Sequence, residues 1–265
     1  MITKDKIDEF IEKIPPAPKA LKETLALLNS GELIKASKVA QTDLALSKYL
    51  KNLVNKPIYG FSHEVKDISQ IFGILGVSGS QQTVYNYMTT LLSPSKWLLF
   101  KLNAKNFYEL QARLSKRWEL ILKHLGKEDK NTISAITLLP ASIIVSEALF
   151  CHKIKDVTLL RATKNLDYNT ILARLCGMDL FDICEQIALK WEMPKEIGEI
   201  IQASSGLKPS CDEDINLLAK WMHLLLFYEL SQPLFIEAGL NDFVDFQVDF
   251  IGDIYDDFAT LMEIE

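Results

Sequence analysis

The chain is poor in the residue clusters that catalytic and metal chemistry needs. Its 265 residues include only four histidines and four cysteines. His63, His124, His152 and His223 lie far apart, with no HxxxH pair and no adjacent His-Asp dyad. A hydrolytic metal site needs converging imidazole, carboxylate or thiolate ligands, and nothing in this spacing supplies them. Cys151, Cys176, Cys184 and Cys211 contain no CxxC pair, so reduced thiols are expected rather than a zinc or dithiol motif. No uninterrupted apolar run of about 18 residues occurs, so no membrane span is expected. The start, MITKDKIDEFIEK, is charged and amphipathic without the apolar core of a secretory leader, and the expected location is the cytoplasm.

Glycine-rich phosphate loops and nucleophile elbows are also missing. The run Gly73-Ile74-Leu75-Gly76-Val77-Ser78-Gly79 approaches both, but it follows a helical pattern where each motif needs a preceding strand. Gly76-Val77-Ser78-Gly79 is moreover one residue short of GxSxG. A turn between two helices accounts for the glycines, because they free the backbone there.

Charge is unevenly distributed. Residues 1–130 carry 20 Lys and Arg against 13 Asp and Glu, whereas residues 131–265 carry 9 against 22. The lysines are scattered along helix faces without arginine clusters or interleaved aromatics, which argues against a nucleic-acid surface.

What the chain does have is apolar content, 48% of residues, in helical register. Ile7, Phe10, Ile11 and Ile14 line one helix face, and Pro15-Pro16-Ala17-Pro18 breaks that helix. Leu21, Leu25 and Leu28 follow, then Leu46, Tyr49, Leu50, Leu53 and Val54 up to the loop Asn55-Lys56-Pro57-Ile58-Tyr59-Gly60. Phe107, Leu110, Leu114, Trp118, Ile121 and Leu125 mark a long helix. Phe181, Cys184, Ala188 and Trp191 mark another, separated by Met193-Pro194 from a helix carrying Ile197, Ile200 and Ile201. Few segments alternate as strands do, so the expected fold is all-α. Residues 1–265 read as one unit with a basic N-terminal helical lobe (1–105), a second helical lobe (106–205) and a C-terminal helical extension (206–265). In the extension Asp242, Asp245, Asp249, Asp253 and Asp256 step by three or four residues. That spacing predicts one acidic helical stripe opposite Phe243, Phe246, Phe250 and Ile254, either a solvated face or a dock for a basic partner. Calcium is not expected, because no glycine-turned loop gathers these oxygens.

Between Ile14 and Leu92 the sequence resembles the bacterial HDOD family, the HD-related output domains. The resemblance rests on IPPAPKALKETLALLNS, TDLALSKYLKNLVNKPIYG and DISQIFGILG, in family order and spacing. The matching positions are Pro15, Pro16 and Pro18; Asp43, Ala45 and Leu46; Asn55, Tyr59 and Gly60; Ile68 and Gln70; Leu75 and Gly76. Leu44 stands where the family usually has proline, and Asp67 where it often has serine. Further on, FYELQARLSKRWELILKHLG, AITLLPASIIV and the Trp191-to-Pro194 stretch resemble the HD-superfamily part. The resemblance implies an N-terminal lobe packed on a degenerate HD-type bundle. It puts the phosphohydrolase metal-ligand positions near Leu110, Pro140, Ala141, Leu180, Ala203 and Ser204, none of which can replace the missing histidines and aspartates.

The expected function is therefore a non-enzymatic signalling module without metal or other cofactor, acting on another signalling protein or a small ligand. Asn55, Tyr59 and Gly60 form a candidate binding loop. The structural alternative is that Asn55 caps a helix, Gly60 supplies a positive φ and Tyr59 packs between lobes. A second hypothesis is a nucleotide or cyclic-dinucleotide receptor using a metal-free HD-like pocket, with Arg113, Lys116 and Arg117 as candidate phosphate contacts. A metal-dependent phosphohydrolase is the third, and it lacks a base or ligand cluster to build from.

Overall fold

The structure, a computed structural model, describes residues 3–241 and 243–264, and every regular element among them is helical. The first five helices are α1 (Lys4–Lys13), α2 (Lys19–Asn29), α3 (Leu33–Thr42), α4 (Leu44–Val54) and α5 (Ile68–Thr90). The middle of the chain forms α6 (Ala104–Leu125), α7 (Lys130–Ala135), α8 (Leu139–Phe150), α9 (Ile154–Lys164) and α10 (Tyr168–Cys176). There follow α11 (Leu180–Lys190), α12 (Lys195–Ala203), α13 (Glu213–Leu230), α14 (Pro233–Glu237), α15 (Val248–Ile251) and α16 (Tyr255–Leu261). Short polar side chains start many of these helices by accepting the first free backbone N–H groups. Asp43, Asp67, Asn103, Asp129, Asp167, Asp179 and Asp212 all do so, and Asp179 forms a reciprocal capping box with Asp182.

Two helices organise the core. The second half of α5 is buried on every side from Gly79 to Thr89, with α2, α3, α4 and α7 around it. The expected turn at the glycine run is a one-residue break inside α5, where Gly76 takes φ 65° and ψ −173°. The segment Asn131–Phe150 is apolar and long enough to cross a membrane, yet 83% of its apolar window is buried inside the protein. Along it α7 packs on α5 and α12, and α8 packs on α11.

Distant parts of the chain are tied together. Although N-terminal in sequence, α1 lies on α11, where Lys190 donates to the carbonyls of Ile11 and Glu12 at 2.6 and 2.7 Å. The Trp191 indole N–H donates to the Pro15 carbonyl at 3.1 Å, so the proline-rich opening docks on the Trp-x-x-Pro stretch. One contiguous apolar core runs from Ile7 to Met262.

The predicted acidic stripe does not form. Asp242 lies outside the described residues, and the rest of 245–256 is broken into the four-residue α15, a turn and the start of α16. Asp253 instead pairs with Lys220 of α13 at 2.6 Å. Tertiary packing overrides the period here, because Phe246 and Phe250 turn onto His223 rather than sharing one face of a continuous helix.

Gly206 marks where this segment lands. Its φ is +73°, and a Cβ placed there would come within 2.8 Å of Gln247 Cγ and 3.1 Å of Phe250 Cδ1. Gly31 has a similar φ, +77°, with nothing within 4 Å of the same position. Gly31→Ala is expected to cost about 1 kcal/mol through the left-handed backbone alone. Gly206→Ala is expected to cost about 2 kcal/mol or more, since the C-terminal segment must also shift. Chemical denaturation of the two variants checks this, and equal losses would show that the segment does not press on Gly206.

Candidate functional site

The Asn55–Gly60 loop leaves α4 and is closed by its first residue. The Asn55 side-chain amide donates to the carbonyls of Lys51 at 2.8 Å and Val65 at 2.9 Å, and its Oδ1 accepts from the Val65 N–H at 2.9 Å. Both ends of the amide are thus used in holding residues 56–65 as one loop. Gly60 ends the 3₁₀ turn Pro57–Tyr59 with φ 69° and ψ 16°, donating to the Pro57 carbonyl at 2.9 Å. The Tyr59 ring stacks on Phe61 and sits beneath Lys116, whose Nζ is 4.7 Å from the ring centroid. Burial, reinforced by Glu119, holds the Tyr59 hydroxyl far above its ordinary pKa, so it stays a neutral donor.

Beside Tyr59 lies a cavity of about 430 Å³, walled by Ile74, Leu75, Leu120, Lys116 and Glu119. Lys116 is therefore brought to the Tyr59 loop, and its charge meets Glu119 at 2.8 Å. Arg113 and Arg117 leave in the other direction. Arg113 Nε donates to Glu229 Oε2 at 2.8 Å, Arg117 donates to the other carboxylate oxygen, and the Arg117 guanidinium covers the Tyr228 ring at 4.7 Å. Glu229 on α13 is fully buried. The three candidate phosphate contacts thus do not converge, because two of them neutralise a carboxylate contributed by the C-terminal extension.

The positions that the sequence resemblance sets against the HD metal ligands offer no set of metal donors here. Leu110, Ala141, Leu180 and Ala203 are buried packing residues, Pro140 carries no donor, and the Ser204 hydroxyl donates to the Ile201 carbonyl at 2.7 Å. Among the described residues no group of three His, Cys, Asp or Glu side chains could hold a metal ion. His223, the one fully buried histidine, is a structural clamp. Its Nδ1 donates to the Ser204 carbonyl at 2.8 Å, and its Nε2 accepts from the Gln247 N–H at 3.2 Å.

A second, larger groove was not evident from the sequence. It measures about 730 Å³ and lies between α4, the start of α6 and the Asn55 loop. Tyr49, Tyr87 and Tyr108 line it, together with Lys48, Lys51, Lys56 and Lys105. A buried chain of hydrogen bonds fixes its floor: Tyr49 donates to Gln111 at 2.9 Å, Gln111 to the Asn86 carbonyl at 2.9 Å, and Asn86 to Ser115 at 2.9 Å. Periodicity assigns Tyr49 to an apolar stripe and the lysines to solvated faces. Only the spacing of Lys48 and Lys51, three residues apart on α4, hinted at a shared surface.

Comparison with known proteins agrees with this architecture. A family model for the HDOD domain matches residues 14–206. An HDOD domain protein of unknown function from Geobacter sulfurreducens superposes with a TM-score of 0.61 at 12% identity, covering 97% of this chain and 95% of that one. A candidate phosphohydrolase from Shewanella amazonensis SB2B gives 0.62 at 17% identity, covering 97% of both chains. A candidate signal-transduction protein from Marinobacter aquaeolei VT8 gives 0.60 at 18% identity, covering 98% of this chain and 64% of that one. At these identities the likeness speaks for the fold alone. No curated protein matches the chain. With the domain model spanning most of its length on an all-helical architecture shared end to end, the chain belongs to the HDOD family.

Proposed function

We propose that this HDOD protein is a non-enzymatic regulatory module of the bacterial cytoplasm that works by binding, with another signalling protein as its main partner. One solved relative carries a signal-transduction name and another a phosphohydrolase name. The side-chain chemistry favours the first. The observation that carries the reading is that Leu110, Ala141 and Leu180, which the resemblance sets at the HD ligand positions, are packing residues buried in the core. A hydrolase would need a Lewis acid or a base there, and an alkyl side chain is neither. The nucleotide-receptor reading loses two of its three cations, because Arg113 and Arg117 are paired with Glu229.

Metal content of the natively purified protein, measured beside turnover of phosphodiester substrates, tests the proposal. The expected result is no stoichiometric metal and no chelator-sensitive hydrolysis. A bound metal at one equivalent, or turnover abolished by EDTA, would overturn it.

A further inference from the structure

The basic groove between α4 and α6 contains cations with no carboxylate partner among the described residues. Lys56 pairs with Glu109 at 3.6 Å, and Glu64, the one carboxylate in the lining, pairs with Lys66 at 3.1 Å. Asp43, at the head of α4, caps that helix by accepting from the N–H groups of Ala45 and Leu46. Lys48, Lys51 and Lys105 have no ion-pair partner among the described residues, yet they come to one concavity from two helices. The chain as a whole is acidic, at a net charge of −6. Three cations without a carboxylate partner among the described residues thus share one groove of an acidic chain, and an anion entering it meets charge that no described carboxylate neutralises.

The groove also limits what kind of anion fits. Tyr49 and Tyr87 are 3% and 8% exposed, so neither presents an open ring face on which a nucleobase could stack. The cations are lysines, point charges on flexible stems without the planar guanidinium fork, so their spacing rather than a bidentate geometry decides which anion fits. Lys48 and Lys51 stand one helical turn apart with Lys105 across the gap, a spread arrangement that suits several separate carboxylates. An extended segment presents alternate side chains on one face about 7 Å apart, a spacing that flexible lysines can follow. Half-buried Tyr108 adds a hydroxyl donor to the wall.

We infer that this groove, built by Lys48, Lys51 and Lys105 over the tyrosine floor, is the docking site for an extended acidic peptide segment of the partner protein. The inference rests on the binding function proposed above and gives it a surface and a partner chemistry. The open, lysine-ringed groove predicts a fast, salt-sensitive association of modest affinity.

The test is fluorescence anisotropy of the full chain with a labelled decapeptide of alternating glutamate and alanine. Binding is expected in low salt and is expected to weaken steeply as salt is raised. Lys48→Glu combined with Lys51→Glu, and separately Lys105→Glu, are each expected to weaken it roughly tenfold or more. Lys4→Glu combined with Lys6→Glu, the same charge change on exposed α1, is expected to leave it within about twofold. An equal loss in the α1 variant would reduce the effect to net charge and overturn the inference. So would the absence of peptide binding, or displacement of the peptide by ATP at lower concentration than by unlabelled peptide, which would assign the groove to nucleotides. A partner that binds the groove-reversed variants as tightly as the unaltered protein would also sink the acidic-peptide site, yet it would leave the wider binding function standing. Circular dichroism of each variant confirms that the helices persist.

Discussion

Glu229→Ala is expected to destabilise the protein by about 3 kcal/mol, and a variant that removes the whole cluster is expected to lose far less. Glu229 is fully buried, and the two cations that satisfy it, Arg113 and Arg117, come from α6, more than a hundred residues earlier. Removing the carboxylate leaves two guanidinium groups facing a protein interior with no counter-charge, and they repel each other. Loss of solvent, and after it the proximity of Arg113, already lower the Arg117 pKa. Their side chains keep 24% and 22% of their exposure, so water relieves part of the cost and the loss falls at the lower end of the range for broken buried pairs. Arg113→Met, Arg117→Met and Glu229→Leu together replace charge by packing, and the triple variant is expected within about 1 kcal/mol of the unaltered protein. Urea denaturation monitored by circular dichroism measures both. A loss below about 1 kcal/mol in Glu229→Ala would mean that the pair contributes no more than a surface salt bridge.

Stability is expected to fall as pH drops below about 6.5, with His223 responsible. The ring sits among Phe227, Phe246 and Phe250, and burial pulls its pKa down from 6.5 to about 4, with weaker opposing effects from the Ser204 carbonyl and Asp245. A depressed histidine is neutral in the folded chain and charged in the unfolded one between these two values. The unfolded state then binds more protons, so stability decreases as pH falls through this window and is unaffected above it. The full effect is about 3 kcal/mol, of which about 2 kcal/mol is lost by pH 5. Protonation also turns Nε2 from acceptor to donor, so it can no longer receive the Gln247 N–H. The segment that covers Gly206 should loosen first. Denaturation midpoints of the unaltered protein and His223→Gln at pH 7.5 and pH 5 isolate the effect. The stability gap between the two proteins should shrink by about 2 kcal/mol at the lower pH, whereas a constant gap would remove His223 as its cause.

The helices were legible because their evidence is local. A stripe such as Phe107, Leu110, Leu114 and Trp118 needs no partner to identify it, and α6 spans it as α11 and α12 span theirs. Asn55 and Gly60 carry local signals too, and both are engaged in loop closure. The acidic stripe failed for the opposite reason. Its period was correct for a helix, but the aromatic residues between its aspartates had a better partner in His223, and no local pattern announces that. The arginines of α6 looked like free phosphate contacts because Glu229 lies on another helix far along the chain.

By itself the sequence determined the helical class, the breaks at Pro15–Pro18 and Gly76, and the family. Each of these depends on residue type at a short spacing, which the backbone converts directly into a face, a cap or a kink. Only the tertiary structure decided which charges are paired. It set Arg113 and Arg117 against Glu229, folded the C-terminal segment over Gly206 and His223, and left Lys48, Lys51 and Lys105 around an open groove. Compensation of a charge depends on its distance in space to another, and in a multi-helix fold the residues that meet are set by how helices stack rather than by where they fall along the chain.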